Sequence, residues 1–405
     1  TGNKDFGIIE GDKNSSLGWG VAYKGNNFIT HSKLSLSRSS LVTFLPWQRN
    51  FLLGLIFIFV FGLFFDIKMT LIIVIALLTS IYFADFIFSL YILLKSLNSP
   101  PEIKVDKNEI KNTPDEKLPV YSLLCPLYKE EKVLPQFIKA IDALDWPKDK
   151  LDVLLLLEED DKATISAAEK INLPEYIRVL IVPQSLPKTK PKACNYGLNH
   201  AKGEYVVIYD AEDRPDPMQL KKAYLSFKKL PDKVVCLQSK LNYYNQDQNL
   251  LTHLFTAEYS LWFDLILPGL QSVESMIPLG GTSNHFKTGI LRSLHGWDAF
   301  NVTEDCDLGA RIFKMGYKTE IIDSTAFEEA NSRLKSWIRQ RSRWIKGYLQ
   351  TYLVHMRDPL TFFRNHGIQS LVFQLIIGMR MVFILINPIL WMTTIAYFVF
   401  NPLVG

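Results

Sequence analysis

The stretch VVIYDAEDRPDP, Val206 to Pro217, begins as an apolar run and then sets Asp210, Glu212 and Asp213 within four positions. Carboxylates this close repel one another and resist burial unless something positive sits among them. A solvated turn after a strand would account for them, and so would a cation site. A second acidic run, EEDD at Glu158 to Asp161, closes another apolar segment, and VTEDCDLGARIF carries Thr303, Glu304, Asp305 and Asp307. Closely spaced oxygen ligands suit Mg²⁺ or Mn²⁺, which combine carboxylates with phosphate oxygens. Such an ion acts as a Lewis acid towards the oxygens it holds.

Alternating strands and helices must position these groups. VYSLLCP (Val120 to Pro126), LDVLLLL (Leu151 to Leu157), IRVLIVP (Ile177 to Pro183), EYVVIYD (Glu204 to Asp210) and KVVCLQSKL (Lys233 to Leu241) read as strands. Glu131 to Leu144, Lys162 to Ile171, Pro191 to Ala201 and Met218 to Lys229 read as the helices between them. Continuously apolar strands alternating with helices imply a mainly parallel sheet covered on both faces. Ligands bind such sheets beyond the carboxyl ends of the strands. PLYKEE, EEDD and DAEDRPDP all fall at those ends. Neutral turns would fold as well at less electrostatic cost, so three such clusters on one rim favour a metal.

The chain has 405 residues, 48% of them hydrophobic, and a net charge of +4, which implies no nucleic-acid partner. Its four cysteines are scattered and suggest neither a zinc site nor a disulfide framework. Phe51 to Phe65 and Met69 to Leu94 approach or exceed the roughly 20 apolar residues that a membrane crossing needs, and Asp66, Ile67 and Lys68 join them as a hairpin. Ile368 to Ile386 reads as a third crossing, and a fourth, broken by Pro388, continues to Phe400. Lysines and arginines flank the hairpin on both outer sides, which places the segment from about Pro100 to Asn365 in the cytoplasm. Asp85 and Arg380 lie inside apolar runs, where ionisable groups face a bundle interior, a partner or a wet cavity. The chain does not begin with Met and stops soon after an apolar run, so it reads as a piece of a longer protein. The expected organisation is an accessory element over 1–45, a transmembrane hairpin over 46–95, a linker over 96–119, a catalytic domain over 120–348, an interfacial helix over 349–367 and transmembrane helices over 368–405.

PLYKE, DAED, TED and QRSRW, in that order, make the segment from about Val120 to Tyr348 resemble family 2 glycosyltransferases of the GT-A fold. It most resembles the processive, membrane-embedded branch that includes cellulose, chitin and hyaluronan synthases. The resemblance implies an α/β GT-A domain, with a Rossmann-like mixed sheet, inserted in the cytoplasm between α-helical transmembrane segments. It implies a nucleotide-diphosphate sugar as donor, a UDP-sugar foremost, with a glycan acceptor, Mg²⁺ or Mn²⁺, the lipid bilayer, and an oligomer or export partner. Pro126, Tyr128 and Glu130 then border the base and ribose. Glu159 of EEDD, where the family usually has DDG, contacts the base, and Lys192 and Asn195 of KPKACNYG lie beside the nucleotide. Asp210 with Glu212 or Asp213 holds the metal, a glutamate standing where the family has its second aspartate. Asp305 is the catalytic base, and Thr303 and Glu304 border the acceptor.

In QRSRW, Gln340, Arg343 and Trp344 share nearly one helical face. The Arg343 fork holds diphosphate oxygens in a bidentate way that a lysine does not match. Trp344 offers a flat surface to a pyranose ring, and Gln340 offers amide groups to its hydroxyls. Plainer readings stand beside these. Thr303 caps a helix whose first-turn acids complement its dipole, and Trp344 packs a core or a membrane interface. His285 of PLGGTSNHFKT is either a sugar contact or a satisfied loop histidine. The expected reaction is a single inverting displacement that builds a β-linked polysaccharide coupled to export. The alternative is transfer of one sugar to a lipid or lipid-phosphate acceptor. A binding module without turnover is disfavoured because Asp305 and QRSRW are both present, and a cation transporter because the acids lie outside the spans.

Overall fold

The computed structural model describes residues 6–9, 20–23, 26–31, 34–97 and 100–400. Strands β1 (Phe6–Ile9), β2 (Gly20–Tyr23) and β3 (Asn26–His31) form a small antiparallel sheet; β2 and β3 lie in the GWGVAY and NNFITH stretches. Next come the helices Pro46–Phe65 and Ile67–Leu97, separated by Asp66 alone. Asp66 Oδ1 accepts from Met69 N at 2.9 Å and so caps the second helix. These two helices are long and apolar enough to cross a membrane. Their Phe57, Ile58, Phe64 and Phe83 side chains are exposed, which apolar surroundings would favour.

The expectation of two further crossings is corrected. Ile368 to Phe400 is one helical run containing a π-helical turn, Gln374–Met379. It bends by 45° between residues 368–384 and 386–396, so it supplies one crossing at most. Pro388 removes an amide donor and bends a helix, and the helix runs on through it to Phe400.

The main sheet has eight strands in the order β6-β5-β4-β7-β10-β9-β11-β8. They are β4 (Tyr121–Leu127), β5 (Leu151–Glu158), β6 (Ile177–Val182), β7 (Tyr205–Ile208), β8 (Arg214–Pro215), β9 (Val234–Tyr243), β10 (Asn284–Lys287) and β11 (Lys318–Glu328). β6, β5, β4 and β7 run parallel, as does β11 beside β9. β10 enters antiparallel between β7 and β9, and β8 is antiparallel to β11. The mainly parallel sheet read from strand alternation is therefore mixed, as the resemblance implied.

The pleat divides each strand between two cores. Leu124, Leu154, Leu156, Val206 and Ile208 face Cys194 and Leu198 of the helix Lys190–His200. Leu123, Val153, Leu155 and Val207 face Phe137, Ile141 and Leu220 on the other side. Burying each large apolar side chain contributes about 2 kcal/mol. Gly197 lets the helix Lys190–His200 lie close to β5, because a Cβ there would stand 2.8 Å from both Leu156 methyls. That approach fixes where the first turn of this helix, with Lys190, meets the acidic rim.

Candidate active site

Tyr209 N still bonds Leu124 O at 3.0 Å, so the chain leaves the sheet at Asp210. Lys190 Nζ meets the Asp210 carboxylate at 2.5 Å from Oδ1 and 2.7 Å from Oδ2, and donates to the Gly281 carbonyl at 2.7 Å. Burial pulls the Lys190 pKa down, but the Asp210 and Glu304 charges outweigh it and hold the ammonium above the ordinary lysine value. Sequence reasoning passed over Lys190. Its one signal was its place in the helical turn that also carries Lys192.

Asp213 is 1% exposed. Its Oδ2 accepts from Asp210 N at 2.7 Å and contacts the Thr282 hydroxyl, while its Oδ1 has no partner. Burial and then Asp210 push its carboxyl well above the usual range. Glu212 projects from the rim, and desolvation followed by Asp210 raises it too. Glu328, at the end of β11, was also missed, since FEEAN reads as solvated polar sequence. Burial, then Asp213, Asp210 and Glu212, push it well up.

The four acids of EEDD divide among separate partners. Glu158 is buried against Lys192, with Nζ 2.6 Å from Oε2. Glu159 accepts from Gln184 N at 2.9 Å, and Asp160 pairs with Lys188. Asp161 caps the helix Lys162–Lys170 and receives Lys129 N. Lys129 has φ 62°, a left-handed conformation that few side chains adopt. Asp161, together with Thr164 Oγ1 at 3.1 Å from Glu130 N, holds that loop in place. Tyr128 is thereby left 40% exposed, with Lys129 Nζ 5.1 Å and Lys188 Nζ 5.2 Å from its ring centroid. Pro126 and Glu130, both half-buried, flank it.

Lys192 and Asn195 stand behind this surface. Asn195 bonds both main-chain groups of Trp297, Nδ2 to O at 2.8 Å and N to Oδ1 at 2.9 Å. It thus anchors the loop that leads to Asp305.

The helix Glu304–Lys314 opens on the same rim. Asp305 Oδ1 accepts from Cys306 N at 2.7 Å, and its Oδ2 lies 3.5 Å from the place of a Cβ on Gly281, whose carbonyl binds Lys190. Burial pushes the Asp305 carboxyl up to about 6, and burial and then Asp305 push Glu304 to about 8. The expectation that Thr303 caps this helix is corrected. Its hydroxyl is buried and unpartnered, because it is pressed against the helix Leu334–His355. A Cβ on Gly347 would stand 2.4 Å from Thr303 Oγ1 and 2.6 Å from Thr303 N. Buried Asp307 joins the same two helices, with Arg311 Nε at 2.8 Å and His355 Nε2 at 3.0 Å.

On Leu334–His355, Gln340 Oε1 accepts from Asn331 Nδ2 at 2.9 Å. Trp344 packs near Phe255 and Tyr259, at centroid distances of 6.0 and 6.4 Å. Arg341 pairs with Glu258 and lies 4.7 Å from the Phe255 and Trp344 centroids. Arg343 is exposed and has no hydrogen bond or ion pair among the described residues. His285 lies inside the sheet, with Nδ1 2.7 Å from the Tyr121 hydroxyl and Nε2 3.2 Å from Gln219 Oε1. Burial lowers its pKa to about 3, so it is a satisfied core histidine.

The Lys190 ammonium pairs with Asp210 and its charge acts on Glu212, Glu304, Asp305 and Glu328, while Asp213 is raised by burial, Asp210 and Glu212. The donors are all oxygen, and one buried oxygen, Asp213 Oδ1, is orphaned. That chemistry fits a hard divalent cation. Among the described residues no three acids, histidines or cysteines enclose an ion by themselves. Asp210 is tied to Lys190, Glu212 lies at the rim, and Asp213 turns Oδ2 into its own loop.

The mixed sheet is GT-A-like in fold. Residues 205–404, just under half of the chain, match the family described as glycosyl transferase family group 2. The chain is 27% identical over 234 residues to probable glycosyltransferase YdaM of Bacillus subtilis (strain 168), covering 57% of this chain and 55% of that protein. It is 24% identical over 238 residues to glucomannan 4-beta-mannosyltransferase 1 of Oryza sativa subsp. japonica, covering 56% and 45%. It therefore spans about half the length of the curated relatives it matches. Among solved structures it is similar in fold to the mannosyltransferase PcManGT from Pyrobaculum calidifontis, in complex with GDP-Man and Mn²⁺. That likeness has a TM-score of 0.51 and 18% identity, and covers 70% of this chain and 82% of the other.

Proposed function

We propose that this chain transfers a sugar from a nucleotide-diphosphate sugar to the hydroxyl of a growing β-linked polysaccharide at a membrane. The observation that carries the reading is the meeting of Asp305 with the Lys190–Asp210 pair around Gly281. The helix of Arg343 and Trp344 crosses beside them at Thr303 and Gly347. Tyr128 offers a flat face to the base. Lys190 and Arg343 hold diphosphate oxygens. When bound at Asp210 with Glu212 or Asp213, Mg²⁺ or Mn²⁺ supplies Lewis-acid stabilisation of the leaving diphosphate. The Mn²⁺ of the solved mannosyltransferase supports such an ion here.

Asp305 takes the proton of the acceptor hydroxyl. Its pKa of about 6 leaves it ionised at neutral pH and more basic than an ordinary aspartate. The acceptor oxygen bonds to the anomeric carbon as the bond from that carbon to the diphosphate oxygen breaks, and the electron pair leaves with the diphosphate. One displacement inverts the centre. Trp344 and Gln340 hold the acceptor ring, while Thr303 and Glu304 border it. The two apolar helices and their basic flanks support a membrane protein with a cytoplasmic active site.

The test is a panel of radiolabelled UDP- and GDP-sugars given to membranes that carry the protein, with the product sized. The mannosyltransferase names of two relatives put GDP-mannose in the panel. Long products support the polysaccharide reading. A single added sugar on a lipid would replace it with single transfer.

A further inference from the structure

β11 runs antiparallel to β8, with Ala326 opposite Pro215 and Phe327 opposite Arg214. Glu328 and Asp213 are the residues next beyond that ladder on the two segments, and each carboxyl is raised by burial and then by the other's charge or by charges they share. β11 also runs parallel to β9, where Glu328 pairs with Tyr243. Paired residues on neighbouring strands project to one face, with Cβ atoms about 5 Å apart, and like charges in that position repel. Asp213 is 1% exposed and its Oδ1 has no partner. The Glu328 side chain makes no hydrogen bond and no ion pair among the described residues. The nearest ammonium, Lys190, is committed to Asp210 and Gly281. Two carboxyls at one end of a ladder, one of them buried with an orphaned oxygen, carry their charge only with a cation between them, and otherwise bind a proton.

We propose that Glu328 is a ligand of a divalent cation and that it completes, from β11, the seat begun by Asp213 Oδ1 across the strand pair. Two carboxylates from two strands account for the absence of a three-acid cage among the described residues. Phosphate oxygens and water fill the other positions, as Mg²⁺ and Mn²⁺ prefer. The proposal rests on the transfer reading for the identity of the rim, but its test reads ion binding and not turnover.

The full chain in detergent, stripped of metal, is titrated with Mn²⁺, and bound ion is read by electron paramagnetic resonance with and without GDP or UDP. Glu328→Gln is expected to weaken Mn²⁺ binding about tenfold or more and to abolish the rise in Tm that Mn²⁺ gives the wild type. Glu329→Gln serves as the control. Its side chain accepts from the Tyr244 hydroxyl at 3.3 Å, away from the pair, and binding stays unchanged. Glu328→Asp keeps the charge with a shorter reach and gives weakened but measurable binding, which covers a glutamine variant that does not fold. Equal Mn²⁺ affinity in wild type and Glu328→Gln overturns the proposal, as does a wild type that binds no Mn²⁺ with either nucleotide. Intact Mn²⁺ binding without transfer from any donor would instead sink the transfer reading.

Discussion

The ammonium of Lys190 bridges the carboxylate of Asp210 and the carbonyl of Gly281, tying the end of β7 to the loop that enters β10. In the transfer proposed above, this ammonium faces the developing diphosphate charge. Lys190→Met removes that charge and leaves Asp210 unpaired. Transfer is expected to fall about 10²-fold, with weaker nucleotide binding by calorimetry. Lys190→Arg keeps the charge but not the compact shape, and restores only part of the loss.

Asp305 sets an acid limb in the pH profile. Burial pushes it up to about 6, and as the proposed base it takes a proton only when ionised. The rate of transfer, kcat/KM, should rise with pH through about 6 and level off above it. Asp305→Asn should abolish transfer while nucleotide binding stays close to normal. A profile flat down to pH 5 would remove the assignment.

Gly347 is where the Trp344 helix passes Thr303. A Cβ there would fall 2.6 Å from a backbone nitrogen, which cannot swing aside as a side chain can. Gly347→Ala should part the helices that carry Asp305 and Trp344. We expect about 1–3 kcal/mol of destabilisation in denaturant melts and a larger loss of transfer than of nucleotide binding.

His285 contributes to stability and not to chemistry. Its folded pKa of about 3 lies below its unfolded value near 6.5. The unfolded chain therefore binds the extra proton between those values, and stability falls as pH drops from 6.5 towards 3. The slope for one proton is about 1.4 kcal/mol per pH unit. His285→Gln, which does not titrate, should flatten that part of a Tm-against-pH curve.

Arg341 and Arg343 should separate. Arg341 is held by Glu258 and by three aromatic rings, so Arg341→Ala lowers Tm. Arg343 is free, and Arg343→Ala should lower transfer with little change in Tm. Arg343→Lys should not rescue it, because a single ammonium does not reproduce the fork.

Much of this was legible in the sequence. β4, β5, β6, β7 and β9 are apolar runs bounded by polar ends, and those ends do lie on one rim. QRSRW was singled out by the resemblance, and it does lie on a helix, Leu334–His355. β10 was not, because NHFK is short and polar, and its His285 is buried through partners on β4, on β9 and in the helix Gln219–Lys229. Neither Lys190 nor Glu328 was singled out as a site residue, and tertiary contacts alone set them among the acids. Thr303 had the residue type and position of a cap. The tight crossing at Gly347 took its hydroxyl elsewhere, and no local pattern encodes a crossing. Two terminal crossings were read where a break at Pro388 seemed to divide them, yet a proline inside a helix bends it without turning the chain back.

The most direct test gives radiolabelled UDP- and GDP-sugars to membranes carrying the wild type or Asp305→Asn, with Mg²⁺, with Mn²⁺ or with a chelator. The account predicts label in product from at least one donor, only with a divalent ion, and none from Asp305→Asn. Equal labelling by the variant, or labelling that survives the chelator, would contradict it.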